Sequence, residues 1–256
     1  MPVSTRRNFV FSGAAFVAML PFAAAAAAPD ATAILRAAFD NWRANSSHAI
    51  LEMTIKRANS TRNLKMESWT QGRDKALVRF TAPARDAGNA TLQNGRRTWV
   101  YNPKLNQVIQ LPASAMTQSW MGSDFSYNDL TKTEQLVNDY THVLLQTKRA
   151  GGRTLYVIEA TPKPGKPIVW GKQIITVRDD YVLIKQEFYD QRSNLVRKMV
   201  TDRIRTLGGR PYPVVITMSS VNKPGQWTRV TTKSAQFNIS FPAYLFTRSN
   251  LQNPRD

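Results

Sequence analysis

The chain has no cysteine among its 256 residues and two histidines, His48 and His142. Without cysteine there is no disulfide, no thiolate ligand for zinc and no thiol nucleophile, so the core must hold the fold unaided even in an oxidising compartment. Two histidines far apart in sequence make no HExxH or Cys/His ligand spacing, and each reads as a polar residue at the start of a strand. Acid is also scarce: 17 Asp and Glu stand against 35 Lys and Arg, a formal charge of +18. Such an excess implies anionic company, whether nucleic acid, polyanionic envelope polymers or acidic lipid headgroups. No Walker loop, dinucleotide-binding glycine loop or GxSxG elbow occurs. Long apolar runs are missing as well, since Phe9 to Phe22 is too short and wrongly flanked for a membrane span.

That short run is instead the centre of an export signal. Arg6 and Arg7 precede it, a small-residue tail follows, and cleavage is expected near Ala27 or Ala28, with residues 1–28 removed. The stretch Thr5-Arg6-Arg7-Asn8-Phe9-Val10 fits the twin-arginine pattern, in which a large apolar residue follows the arginine pair. No cysteine follows the run, which excludes a lipobox anchor. Residues 29–256 are expected to form one domain, soluble in a periplasm after cleavage. Export makes nucleic acid the least fitting partner, and none is expected.

Beyond the signal, Asp30 to Ser46 carries Ile34, Leu35, Ala38, Phe39 and Trp42 at helical spacing behind a capping carboxylate. The period then changes from 3.6 to 2. Strand patterns follow in HAILEMTIKR, RNLKMESWTQ, KALVRFTAP, ATLQ, RRTWVY, QVIQLP, HVLLQTK, RTLYVIEAT, KQIITVR, YVLIKQEFYD, NLVRKMVTDRI, YPVVITMSSV and WTRVTTKSAQF, separated by turn signals such as Asn94-Gly95 and Pro224-Gly225. The expectation is a mainly β protein with a single antiparallel sheet of about ten to eleven strands and very few helices. Two segments interrupt it, PARDAGN at Pro83 to Asn89 and a longer insertion from Ala113 to about Asp139. The insertion exceeds a hairpin loop and suits a lid or binding loop.

A sheet this large exposes more apolar surface than one helix covers. Either it curls until its own side chains fill the middle, or it wraps around a ligand. The alternation assigns Leu51, Met53, Ile55, Val78, Phe80, Trp99, Tyr101, Leu155, Val157, Ile184, Phe188 and Met218 to the inner face.

The insertion contains SWMGSDFSYNDL, residues 119–130. Ser123 and Asp124 with His142 would form a hydrolytic triad only if the fold assembles them. Asp124 and Asp129 read more simply as backbone caps, Asp124 after Gly122 and Asp129 at the start of the helix DLTKTEQLV. Basic residues crowd Arg192 to Arg210 and the turns around Lys148, Arg149, Arg153, Lys163, Lys166 and Lys172, which suits an anionic membrane surface.

The order of parts resembles the outer-membrane lipoprotein-sorting protein family, the LolA-like branch of the LolA/LolB superfamily. The residues that carry the resemblance are the hairpin RRTWVYNPKLNQVIQLP, the insertion SWMGSDFSYNDL and the terminal FPAYLFTRSNL. The resemblance implies an unclosed barrel with an N-terminal helix and a helical or loop lid over an apolar cavity, and no cofactor. It implies a periplasmic carrier of a lipid or lipid-modified protein toward the outer membrane, loaded by an inner-membrane transporter. The expected ligand-binding residues are Trp99, Tyr101, Met116, Trp120, Met121 and Phe125 around the mouth and lid, with Met53, Phe80 and Phe188 from the sheet. A phospholipid- or ester-cleaving enzyme on the same fold, using Ser123 or His142, and a non-enzymatic adaptor of an envelope transporter are the alternatives.

Overall fold

The computed structural model describes Met1 and residues 29–131, 133–166 and 168–255. The expected export signal, residues 1–28, lies outside the described residues apart from Met1.

The first helix, α1 (Ala31–Arg43), starts where Asp30 Oδ1 accepts a hydrogen bond from the Thr32 amide at 2.8 Å. Its apolar stripe buries Ile34, Leu35 and Ala38. It stops short of the expected Ser46 because Ala44 turns into the left-handed region (φ 53°), its N–H returning to Asp40 O at 2.8 Å. Ser46 is already the first residue of a strand.

The strands are β1 (Ser46–Arg57), β2 (Ser60–Gln71), β3 (Lys75–Ala82), β4 (Ala90–Asn94), β5 (Arg97–Asn102) and β6 (Gln107–Gln110). After the insertion, which holds α2 (Tyr127–Thr131) and α3 (Thr133–Asn138), come β7 (Tyr140–Ala150), β8 (Arg153–Pro162), β9 (Lys172–Arg178) and β10 (Leu183–Tyr189). The long strands β11 (Leu195–Leu207), β12 (Arg210–Ser220) and β13 (Trp227–Phe237) complete the sheet, and α4 (Arg248–Gln252) follows a 3-10 turn at Ala243–Phe246. Every segment expected to be extended is a strand. Among the described residues the count is thirteen, above the expected ten to eleven, because each of the thirteen extended segments pairs as a separate strand.

All strands lie in one antiparallel sheet, ordered β6-β5-β4-β3-β2-β1-β13-β12-β11-β10-β9-β8-β7. Pairing of β13 with β1 joins two meanders, and β6 and β7 are left as the two open edges. Bulges at Ile50/Leu51, Lys65/Met66 and Phe188/Tyr189 bend the strands. The sheet therefore curls without closing. Because β6 and β7 lie at opposite ends of the sheet, residues 111–139 must pass from one edge to the other. That topology lays the insertion across the open side of the concave face.

Among the described residues apolar burial falls into three groups. Leu35, Ile34 and Ala38 of α1 meet Ile158 and Ala160 of β8 and Ile175 and Val177 of β9. A second cluster joins Met53, Ile55, Met66, Phe80 and Met218 of the sheet to Trp120 and Phe125 of the insertion. The third, on the other face of β3 to β5, packs Leu77, Leu92 and Trp99 under Phe246 and Leu251 of the C-terminal segment.

Expectations for the inner face fail on two strands, for different reasons. On β8 it is Ile158 and Ala160, with Tyr156 packed against them, that join the core, rather than Leu155 and Val157. The run Leu155-Tyr156-Val157-Ile158 is uniformly apolar and carries no phase for a period of 2. On β5, Trp99 stands opposite Leu92 and Tyr101 opposite Ala90, on the outer face beneath Phe246.

Candidate functional site

The concave face, α1 and the insertion enclose a cavity of about 270 Å³. That size lies close to the lower end of the range for ligand pockets, ~300–1,000 Å³. Leu51, Met66, Phe188, Met199, Ile216 and Met218 line its apolar part, and Trp120 and Phe125 come in from the insertion.

The insertion is held by a small closed loop. A bridge between Ser119 and Ser126 draws its ends together, and Trp120 N donates to Phe125 O at 2.8 Å. At its tip Met121 (φ 53°) and Gly122 (φ 73°) both take the left-handed conformation, so the chain reverses within the WMG turn. The reversal sends the Trp120 indole inward. There it is 2% exposed, donates from Nε1 to Thr91 Oγ1 at 3.1 Å and packs on Phe80 with ring centroids 5.2 Å apart. A buried indole N–H normally finds such a partner.

Three arginines from the sheet grip this loop by its carbonyls and carboxylates. Arg57 of β1 pairs with Asp124 at 3.0 Å and donates to Gly122 O at 2.7 Å. Arg62 of β2 reaches Met121 O and Asp86, each at 3.2 Å, which ties the loop to the irregular segment after β3. Arg197 of β11 donates to Asp124 O at 3.1 Å and to Asp129 Oδ1 at 2.6 Å, while its guanidinium sits 4.3 Å from the Phe188 ring centre and 4.8 Å from that of Trp170. Thr228 Oγ1 adds a bond to Asp124 at 2.6 Å.

The two aspartates thus do more than cap. Asp124, expected to act on the local backbone, is a buried carboxylate that clamps the loop to β1 and β13. Asp129 is the third residue of α2 and reaches back to Ser126, accepting from its N and Oγ at 2.7 Å each, as the acidic member of a capping box does. Ser126, not Asp129, occupies the cap.

Of the expected site residues, Trp120, Phe125 and Phe188 line the cavity. Met53 and Phe80 lie in the same cluster beneath its surface, and Met121 packs partly buried against that cluster. Met116 is buried at the base of the lid, where its carbonyl accepts from Asn128 N at 2.9 Å, and does not line the cavity. Trp99 and Tyr101 do not flank the mouth. Thr91 and Gln93 of the neighbouring β4 face the cavity instead, and the aromatic face of the hairpin is turned outward to meet the C-terminal segment.

The hydrolytic triad is not assembled. Ser123 Oγ accepts from Phe125 N at 3.1 Å and is buried in its own turn. His142 is committed elsewhere: Nε2 donates to Leu136 O at 2.9 Å, which leaves Nδ1 to accept from Thr32 Oγ1 at 3.0 Å. Burial holds this imidazole below its ordinary pKa, with Lys163 acting in the same direction. His48 sits on another strand, stacked on Trp69 at 5.0 Å and paired with Glu67 at 3.0 Å. Among the described residues no three His, Cys, Asp or Glu side chains converge.

Two functional residues escaped sequence reasoning. Arg197 belongs to the basic stretch read as suited to an anionic membrane surface, yet it is 9% exposed, whereas Arg192, Lys198, Arg203 and Arg205 around it are exposed. Arg43 ends α1 and lines the cavity, 8% exposed, with burial holding its guanidinium below the usual value. A cation at a helix C-terminus is ordinary dipole chemistry, so nothing in the pattern marked it out. Of the other basic residues singled out, Arg153, Lys166 and Lys172 are ion-paired with Asp179, Asp139 and Glu159, and Lys148 and Arg149 are exposed.

Residues 72–253 match a family model whose description reads "-like: Uncharacterized protein". No curated protein matches the chain. Among solved structures, a DUF1329 family protein from Desulfovibrio piger aligns at a TM-score of 0.79 with 22% identity, over 86% of this chain and 97% of that one. An outer membrane lipoprotein-sorting protein domain from Vibrio parahaemolyticus aligns at 0.75 with 24% identity, over 87% and 98%. A LolA superfamily protein from Nitrosomonas europaea aligns at 0.72 with 21% identity, over 87% and 99%. The expected LolA-like fold is therefore the fold observed. Among the described residues no helix is long and apolar enough to cross a membrane.

Proposed function

The chain belongs to this family of uncharacterized proteins, and we propose that it is a carrier which holds the acyl chain of a lipoprotein or envelope lipid in its cavity. The observation that carries the proposal is the apolar cavity under a lid that is clamped by ion pairs rather than built into the sheet. An acyl chain laid against Leu51, Met66, Phe188 and Met218 gains ~0.8 kcal/mol for each methylene removed from water. Specific contact with the rest of the cargo is not required for that gain. Opening needs the loop at residues 119–126 to leave its arginine partners, Thr228 and the seat of Trp120 against Thr91 and Phe80, with no strand unpaired.

On this proposal residues 1–28 are a twin-arginine signal and residues 29–256 the working domain. The carrier operates in the periplasm, takes cargo from an inner-membrane transporter and moves it toward the outer membrane. Exposed bases such as Lys148, Arg149, Arg203 and Arg205 meet acidic headgroups during transfer, at about 1 kcal/mol for each base near the surface. The fold alignments with a lipoprotein-sorting domain and a LolA superfamily protein support a carrier. Trp120, Phe125 and Phe188 are the ligand contacts proposed, with Met53, Phe80 and Met121 supporting them.

The test is gentle purification followed by organic extraction and lipid mass spectrometry, with titration of the delipidated protein by a fluorescent fatty acid. A stoichiometric acyl lipid in the extract, or saturable binding of the probe, is expected. Protein that is empty on isolation and also ignores the probe refutes the proposal.

A further inference from the structure

The cavity is not uniformly apolar, and its polarity changes in register with the sheet. One cross-strand row, Ser47-Thr70-Ala76-Gln93, faces it at one end. Two residues along, the row is Ala49-Ser68-Val78-Thr91, and two further on it is Leu51-Met66-Phe80. Each step advances ~7 Å along a strand, so the wall passes from polar to apolar within ~14 Å.

Arg43 enters at the polar end. Its Nη2 donates to Lys75 O at 2.9 Å, and Lys75 is the residue before Ala76 in the polar row. Its Nε is buried without a partner. Gln93, in the same row, has Oε1 buried without a partner, and Ser47 and Thr70 share one hydroxyl bond at 2.7 Å. Among the described residues four buried side-chain polar atoms lack partners, and three of them, on Arg43, Gln93 and Asn128, belong to this cavity lining. Native interiors leave few such atoms, and those they leave call for a ligand or water.

Charge points the same way. Among the described residues two charged side chains line the cavity, Arg43 and Asp129. Asp129 is neutralised by Arg197 at 2.6 Å, whereas no carboxylate among the described residues lies within 4.0 Å of Arg43. Glu134 and Asp74 act on Arg43 only from longer range, and Glu134 is itself paired with Arg73 at 3.3 Å. The cavity therefore presents one uncompensated positive charge at its polar end and a greasy wall at the other.

We infer that the occupant is an amphiphile with a single anionic head, a carboxylate or phosphate oxygen received by Arg43 beside Gln93, its acyl chain running along Leu51 and Met66 toward Trp120 and Phe125. The inference rests on the carrier proposal and narrows it to a ligand class. Gln93 serves either as acceptor or, with its amide turned over, as donor to the head.

The experiment uses delipidated wild-type protein titrated with palmitate, hexadecyl phosphate and hexadecanol, three ligands with the same chain. The two anions are expected to bind at least about tenfold more tightly than the alcohol, as a charge-assisted hydrogen bond in a dry site requires. In Arg43→Gln that preference should fall to near unity while the affinity for hexadecanol stays within about twofold. Gln93→Leu, which leaves the Lys75 contact alone, should weaken both anions several-fold and spare the alcohol, so the inference stays testable if Arg43→Gln fails to fold. Tighter binding of hexadecyl phosphate than of palmitate identifies a phosphate head, and the reverse a carboxylate. Wild-type protein that binds hexadecanol as tightly as either anion overturns the anionic head and leaves the carrier standing. Binding of none of the three overturns both.

Discussion

Replacing Arg197 with Met tests whether the lid is latched by this one side chain. The change keeps the length and apolar stem of the residue and removes the guanidinium that joins Asp124 O, Asp129 Oδ1 and the faces of Trp170 and Phe188. Hydrogen bonds to charged groups contribute ~1.5–3 kcal/mol each, and a desolvated cation over a ring up to ~2. Two compensations reduce the sum. The Met sulfur recovers ~0.3–1.5 kcal/mol against the rings, and Asp129 keeps its two bonds to Ser126. A net loss of ~3 kcal/mol follows, which corresponds to ~10² in the equilibrium between closed and open lid. Native-state hydrogen exchange reads this at the amides of Trp120, Ser123 and Asn128, whose acceptors are Phe125 O, Trp120 O and Met116 O. Urea denaturation gives the whole-protein counterpart, and Lys198→Met, at the exposed neighbour, is the control expected within ~0.5 kcal/mol of wild type. Lid amides that exchange at the wild-type rate in Arg197→Met, or a loss under ~1 kcal/mol in urea, would refute the latch.

Trp120→Ala should cost ~3–5 kcal/mol in the same denaturation experiment and abolish probe retention, because the indole roofs the cavity; Trp120→Phe, which loses chiefly the bond to Thr91, should cost ~1. Equal losses from the two variants would mean that the N–H and not the ring volume matters. Gly171→Ala places a Cβ 2.2 Å from the Asp190 carbonyl oxygen, a backbone atom that cannot turn away, so a loss of ~1–3 kcal/mol or failure to fold is expected. A stable Gly171→Ala protein would show that the chain between β8 and β9 yields easily. For His142, burial depresses the native pKa, so the unfolded chain takes up its proton first as pH falls. Its stabilising contribution is complete above about 6.5, the unfolded value, and is lost as the pH drops through the native one. The slope of stability against pH in that window should diminish in His142→Gln, and an unchanged slope would assign the acid sensitivity to other groups.

Alternation, turn chemistry and the change from period 3.6 to 2 specified every extended segment and the first helix, since each depends on neighbours within a few residues. The length of the insertion marked it as a lid for the same local reason. Sequence alone also determined that Trp99 and Tyr101 share one face of β5, but not which face the fold would cover. Either side of a strand pair can be buried, and the choice was made when Phe246 and Leu251, far along the chain, settled on the aromatic side and left Thr91 and Gln93 to the cavity. Leu155 and Val157 failed differently, through a run too apolar to hold a phase. Arg197 and Arg43 show the same division from the polar side. A cation in a basic stretch or at a helix end looks like solvated charge until the sheet order sets Arg197 against Asp124 and Asp129 and the packing of α1 sets Arg43 into the wall. Local pattern decides what a residue can do, and long-range pairing decides which side chains lose water together, and it is that shared loss that turns a surface arginine into a latch or a receptor.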